Sequence, residues 1–315
     1  FDLLSREHSH RPMKPFDVVV LGGGIIGCAV AETLAEAGQR VVLVERRHLG
    51  AEASTAAAGI LSTQLDIRNP GPLFALCHAA RQLYPRWVKH LEQRAGISVN
   101  YHVDGILYLV QTRREHQELE HQARWQRHQG LRVERWSPAD VHQKEPALDG
   151  RLRGGFYFPM GAQVDTLALM RALAAATRTA GVEIHEKTSV RTLRIRRGAV
   201  RGVTTNRGVF MAPVVINCLG SWANMGGRFP VELPVEPARG QMLAFRGPRR
   251  LLQHIVMSRR AYAVQRRDGR LLVGSTIERA GFAKTLTVAG IHGILSGVRR
   301  MSRAFGACTL LDAWA

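Results

Sequence analysis

The chain has 315 residues, 45% of them hydrophobic, which supports a real core and room for two domains or one large domain with an inserted module. Its formal charge of +19 raises nucleic acid or an anionic surface as a partner. The arginine pairs (Arg46-Arg47, Arg196-Arg197, Arg249-Arg250, Arg259-Arg260, Arg299-Arg300) are scattered and no recognition motif accompanies them, so a solvated surface is expected instead. Four cysteines, Cys28, Cys77, Cys218 and Cys308, form no C-x-x-C pair and no disulfide framework, which makes a reducing, cytoplasmic setting the default.

Residues 1–12 are polar, lack the apolar core of a signal peptide and read as a disordered extension, with Met13 as the natural start. Phe16 to Leu21 is a short apolar run with β-branched residues, as in a buried parallel strand. Gly22, Gly24 and Gly27 follow at once: the first for a tight turn, the second for close approach of backbone to a pyrophosphate, the third for helix packing on the sheet. A helix is expected over about Ile25 to Ala37, with Gly38 as its stop and its N-terminal N–H groups open to an anion. Gln39 to Val44 returns as a second parallel strand ending in Glu45, where a ribose would present its hydroxyls. The complete unit predicts a dinucleotide, and Glu45 disfavours a 2′-phosphate despite Arg46 and Arg47. The longest nearly uncharged apolar run, Val18 to Ala31, is interrupted by the glycine turn and falls short of the ~20 residues of a membrane helix.

Ala53 to Leu61 is a run of small residues, read either as backbone lying against a flat ligand or as a tightly packed alanine-rich helix. A helix over Leu73 to Ala95 has apolar positions near Leu76, Leu83, Trp87 and Leu91, and Pro85 is expected to kink or divide it. Tyr101 to Val110 reads as strand around the turn at Asp104-Gly105. The helix from about Arg113 to Gln129 is charged all round. His116 and Glu120 could meet on it at i, i+4 as a metal pair, but with no third ligand a solvated face is the better reading and no metal site is expected.

After Gly155 to Pro159, Asp165 is expected to cap a helix reaching Ala180. Strands follow near Val182 to Glu186, Val190 to Ile195, Val200 to Thr205, Val209 to Met211 and Val214 to Cys218. The last opens into Leu219-Gly-Ser-Trp222, either a second ligand-facing turn or a plain strand-to-helix turn. From Val231 the pattern is antiparallel: Gln241 to Arg246, Tyr262 to Arg266, the Arg267-Asp-Gly269 turn and Arg270 to Ser275. With no internal repeat and no low-complexity linker, the domains are expected to interleave.

Together these residues resemble the D-amino acid oxidase superfamily of FAD-dependent oxidoreductases, and within it the glycine oxidase branch. Ser54-Thr-Ala-Ala-Ala-Gly-Ile-Leu61 is the most specific element. Pro237-Ala-Arg-Gly-Gln-Met-Leu243 and the stretch from Tyr262 to Thr276 agree with it, and the resemblance covers about Phe16 to Ala315. Gln265 stands where the family usually has proline, and Ile60 where it has methionine.

The resemblance implies an α/β fold in which a Rossmann-like FAD-binding domain, 13–90 with 158–228, is interleaved with an antiparallel-sheet α+β substrate domain, 91–157 with 229–315. It implies that Gly22, Gly24, Ile25, Ile26 and Gly27 hold the FAD pyrophosphate turn, Glu45 the ribose, and that Arg46 flanks it. Ala53, Ser54, Ala58, Gly59 and Ile60 would line the pyrophosphate and isoalloxazine. Val190 would use its backbone at the adenine, and Gly220, Ser221 and Trp222 would close over the cofactor. Tyr262 would position the substrate, although it also reads as one more strand aromatic.

The implied activity is oxidation of glycine or another small amine, such as sarcosine or D-alanine, to the 2-oxo acid, ammonia or amine and hydrogen peroxide, in the service of thiazole and thiamine synthesis. Its partners would be a small amino acid and oxygen, with a homo-oligomer as one arrangement, and neither a specific nucleic acid nor a membrane. Leu311 to Ala315 resembles the lead-in to a Gly-Leu-Arg-Pro segment whose arginine pairs with the substrate carboxylate, so a C-terminally truncated oxidase is expected. The competing readings are a D-amino acid dehydrogenase passing electrons to a quinone, a nicotinamide-dependent dehydrogenase on the first unit alone, and a non-catalytic basic binding protein.

Overall fold

The computed structural model describes residues 16–224 and 232–315, so the expected extension over 1–12, Met13 and Val231 lie outside the described residues. The chain forms two compact units, one running to Ala51 and resuming over Ala174–Val235, the other made of Glu52–Leu173 and Glu236–Ala315. Each draws on two separated stretches of chain.

In the first unit, Val18–Leu21 and Val41–Val44 are strands buried at every residue. They lie parallel, Val18 opposite Val41 and Leu21 opposite Val44, because the helix Ile25–Glu36 between them makes the crossover. Val214–Asn217 adds in parallel beside Val18–Leu21, and Glu183–His185 beside Val41–Val44, completing a four-stranded sheet. Val190–Arg196, Ala199–Thr205 and Gly208–Met211 form a separate antiparallel sheet. Its Val203 and Phe210 pack with Phe16, Val19, Leu21, Val42 and Val44 as one core.

The second unit is built on an eight-stranded sheet in the order Thr309–Trp314, Met242–Arg246, Arg270–Gly274, Tyr262–Gln265, Ile255–Met257, Ile106–Leu109, Gly155–Phe158, Glu134–Trp136. Both faces are covered, and the two-residue period of a strand sorts side chains between them. Leu107, Leu109, Leu243, Phe245, Leu271 and Val273 pack on one face with Ile294, Val298 and Met301 of the helix Val288–Met301. Ile106, Met242, Ala244, Val264 and Leu272 pack on the other with Leu119 and Ala123 of the helix Arg113–His128. Ala58, Ile60 and Tyr262 belong to this second face.

Several expectations are corrected. The sheet is mixed, since Ile255–Met257, which was not anticipated, runs parallel to Ile106–Leu109; neither the helix Val288–Met301 nor the strand Thr309–Trp314 was foreseen. Pro85 does not divide its helix, which is continuous over Pro72–Ala95. That helix buries Phe74, Arg81, Val88 and Leu91 and leaves Leu76 and Leu83 exposed. Arg81 can be buried because it donates to the Met160 carbonyl at 3.0 and 2.8 Å and to the Tyr101 hydroxyl at 2.8 Å. The helix Arg113–His128 is not solvated all round: Glu115, Leu119, Ala123 and Gln126 form a buried stripe. Its buried polar members are satisfied, Glu115 by the N–H groups of Gln111 and Thr112 and Gln126 by Gln64. His116 packs its ring on Phe156 and Glu120 accepts from Arg127. Asp165 does cap its helix, accepting from the N–H groups of Leu167 and Ala168 at 3.0 Å each.

Candidate active site

The first unit gathers the glycine turn and the acidic end of the next strand. Gly22 has φ +99°, and a Cβ there would stand 2.5 Å from the Cys218 carbonyl oxygen, so this turn admits only glycine. A Cβ at Gly27 would stand 1.9 Å from the Gly22 carbonyl oxygen, which is how closely the helix sits on the turn. Gly24 is the extended residue before that helix and, as a glycine, provides no side-chain cap of its own. The helix's first N–H groups and the macrodipole favour an anion. Ile25 is half-buried and Ile26 is exposed.

Glu45 closes the ring of contacts. One carboxylate oxygen accepts the Gly23 N–H at 2.8 Å and the other the Arg47 N–H at 2.7 Å. Gly23 was not singled out by sequence reasoning, yet a Cβ there would stand 2.4 Å from Leu49 and 3.0 Å from Glu45. Its signal was the unbroken Gly22-Gly23-Gly24 triplet. The Gly23 carbonyl also receives the Gly50 N–H at 2.8 Å, bringing the loop after the second strand back to the turn.

Gly220, Ser221 and Trp222 form a single 3-10 turn after the strand Val214–Asn217. Asn217 shapes it, accepting from the Leu219 N–H at 3.2 Å and donating to the Ala223 carbonyl at 3.0 Å. The Arg46 guanidinium lies 3.8 Å from the centre of the Trp222 ring, a cation–π contact that joins the end of the second strand to this turn. Val190 opens the neighbouring antiparallel sheet and packs against the unit's core. Burial pushes the Cys28 thiol up to about 12 and raises that of Cys218 as well, so both are inert packing groups rather than nucleophiles.

The second unit places the small-residue run. Ala53, Ser54 and their neighbours to Ala56 form one helical turn, and the chain then extends through Ala58 and Gly59 into the short strand Ile60–Leu61. Its successive carbonyls are taken by the protein. Trp314 donates to Ala56 at 2.9 Å, Thr166 to Ala57 at 3.1 Å, Arg266 to Ala58 at 2.8 Å, and the Val164 N–H to Gly59 at 2.9 Å. None of the described residues supplies an acceptor to the Ala58 or Gly59 N–H. Two adjacent unspent donors on a clamped backbone fit a planar ligand carrying carbonyl and ring-nitrogen acceptors. Gly59 has φ +69°, and a Cβ there would stand 2.0 Å from the Val164 carbonyl oxygen. The anchoring residues Thr166, Arg266 and Trp314 carried no sequence signal, because each lies far along the chain from the segment it holds.

Tyr262 begins its strand on the same sheet face as Ala58 and Ile60, with its hydroxyl 3.0 Å from the Met242 sulfur. Burial raises its phenol above the usual value, so it is a hydrogen-bond donor at neutral pH. Among the described residues no group of three or more His, Cys, Asp or Glu could hold a metal ion. No helix there is long and apolar enough to cross a membrane.

The family described as DAO, FAD dependent oxidoreductase, matches residues 17–315. The bifunctional protein ThiO/ThiG of Trichormus variabilis is 35% identical over 90% of the chain, which spans only 43% of that relative. The glycine oxidase of Pseudomonas aeruginosa is 34% identical over 86% of the chain and is itself 73% covered. The crystal structure of glycine oxidase from Geobacillus kaustophilus superposes with a TM-score of 0.91 at 30% identity, covering 95% of this chain and 81% of that one.

Proposed function

This chain belongs to the FAD dependent oxidoreductase family, and on that premise we propose that it oxidises glycine or another small primary or secondary amine, such as sarcosine or D-alanine. The observation that carries the cofactor half of the reading is the Glu45 carboxylate beside the glycine turn, held by the Gly23 and Arg47 N–H groups. An acid placed there accepts from ribose hydroxyls, while Gly22, Gly24 and Gly27 at the helix N-terminus receive the pyrophosphate. Arg46 and Trp222 brace the adenosine side, with the Val190 backbone at the adenine. Ala53 and Ser54 line the pyrophosphate, and Ala58, Gly59 and Ile60 present backbone to the isoalloxazine.

FAD held by these residues would supply the two-electron acceptor that takes the amine to the imine, which water would hydrolyse to the 2-oxo acid and ammonia or amine, with oxygen as the final acceptor giving hydrogen peroxide. The chain's own contribution is positioning. Tyr262, protonated at neutral pH, donates to the substrate carboxylate, and the apolar face around Met242 and Leu272 excludes water. The likeness to relatives named glycine oxidase and ThiO/ThiG supports the substrate class and a place in supplying a thiazole precursor for thiamine synthesis.

The test is a purified protein examined for visible flavin absorbance and for peroxide release with glycine, sarcosine and D-alanine. Yellow protein that releases peroxide is expected, whereas a colourless protein silent on all three amines overturns the proposal. Substrate bleaching of the flavin with no uptake at an oxygen electrode would assign the chain to quinone-linked dehydrogenases instead.

A further inference from the structure

Arg266 carries a charge that the reaction described above does not use. The residue is only 6% exposed, and its guanidinium bonds reach neutral acceptors: Nη1 donates to Gln163 Oε1 at 2.8 Å and Nη2 to the Ala58 carbonyl at 2.8 Å. Its Nε is buried and has no hydrogen-bond partner. The neighbouring carboxylates are committed elsewhere. Asp165 and Asp268 pair with Arg270 at 2.5 and 2.7 Å, and Asp104 accepts from Gln163 Nε2 at 2.6 Å. Gln163 also donates to the Gln265 carbonyl at 3.1 Å, so the group that holds Arg266 is itself fixed.

A buried cation bonded only to neutral acceptors is a poor source of stability, because the desolvation it suffers is not returned by an ion pair. An arginine nevertheless keeps its proton under these conditions, so the guanidinium stays charged, with Asp165, Asp268 and Asp104 in electrostatic reach but bonded to other partners. That charge is one hydrogen bond away from the backbone whose Ala58 and Gly59 N–H groups lack protein acceptors.

We propose that Arg266 is a positioning residue for the flavin: it fixes the Ala58 carbonyl so that the adjacent N–H groups meet the isoalloxazine, and its charge, bonded directly to no carboxylate, favours the electron-rich state of the ring. The proposal rests on the reading that Ala58 to Ile60 line the isoalloxazine. The fork geometry is needed for the first role, since one guanidinium must reach a side-chain amide and a main-chain carbonyl together. The charge alone is needed for the second, because a fixed cation in a medium of low polarity stabilises the negative charge that arrives with the hydride.

Two substitutions separate the roles, Arg266→Lys keeping charge without the fork and Arg266→Met keeping bulk without charge. The readouts are the FAD dissociation constant, from flavin fluorescence, and the midpoint potential of the bound flavin, neither of which requires turnover. Both variants are expected to bind FAD about tenfold more weakly, as for loss of one charge-assisted hydrogen bond. The potential is expected to fall in Arg266→Met and to hold in Arg266→Lys. A potential unchanged in Arg266→Met overturns the proposal, even if thermal stability drops. Should that variant not fold, Arg266→Lys decides: unchanged FAD affinity overturns the proposal, and weakened affinity with a retained potential upholds it. An unsubstituted protein that holds no flavin would instead overturn the assignment of Ala58 to Ile60 on which the proposal rests.

Discussion

Glu45 accepts the backbone N–H of Gly23 at 2.8 Å, across 22 residues, so the acidic end of the second strand and the glycine turn after the first are one rigid piece. The same carboxylate takes the Arg47 N–H at 2.7 Å, leaving its remaining lone pairs as acceptors.

Glu45→Gln keeps the shape and removes the charge. The variant is expected to bind FAD roughly tenfold to a hundredfold more weakly, since hydrogen bonds to a charged acceptor contribute about 1.5–3 kcal/mol. Equilibrium titration of the apoprotein with FAD reads this directly, and an unchanged dissociation constant would remove Glu45 from the ribose site.

Gly27→Ala forces a methyl to within 1.9 Å of the Gly22 carbonyl oxygen, a main-chain atom that cannot yield without opening the turn. A loss of about 3 kcal/mol or an insoluble product is expected. Gly71→Ala, where nothing lies within 4 Å, is the control, and equal melting temperatures for the two variants would contradict the packing described for the turn.

Glu145 is fully buried and accepts from the Gln253 N–H at 2.9 Å, the His254 N–H at 2.7 Å and His254 Nδ1 at 2.7 Å. Glu145→Ala strands these donors and is expected to cost about 3–5 kcal/mol in urea unfolding. Glu145→Gln retains one acceptor oxygen and should lose less; a variant order reversed from this would show that the carboxylate does not organise the loop.

The buried thiol of Cys28 is pushed up to about 12 from 9.0, chiefly by burial, with the nearby Glu45 adding to the rise. The unfolded thiol ionises first, so its contribution to stability is complete below pH 9.0 and is lost as pH rises toward about 12. Denaturant midpoints should therefore fall less steeply over that window in Cys28→Ala than in the unsubstituted protein. In the folded protein at pH 8, Cys28 should resist iodoacetamide until urea is added; rapid native-state labelling there would show that the helix is not packed as described.

Long-range anchors separate what could be read in the chain from what could not. The strands Val18–Leu21 and Val41–Val44, the helix between them and the Glu45 terminus were legible because local pattern dictates each: β-branched runs, glycines where φ is positive or a Cβ collides, and Gly38 at the helix end. The helix Arg113–His128 was misread because its buried stripe contains Glu115 and Gln126, polar residues whose burial depends on partners contributed by the fold. The long helix was misread similarly, its buried Arg81 standing where an apolar residue was sought.

By itself the sequence determined the parallel strand, glycine turn, helix and strand, the acidic residue at the end of the second strand and the small-residue run, since these follow from backbone geometry and residue size at short range. Tertiary structure alone decided which carbonyls of Ala56 to Gly59 are taken and by whom, and that Arg266 stands buried without a direct counter-ion behind Ala58. Hydrogen bonds that join residues as far apart as Ala58 and Arg266 leave no periodicity in the chain. They exist only once the sheet has brought the two stretches together.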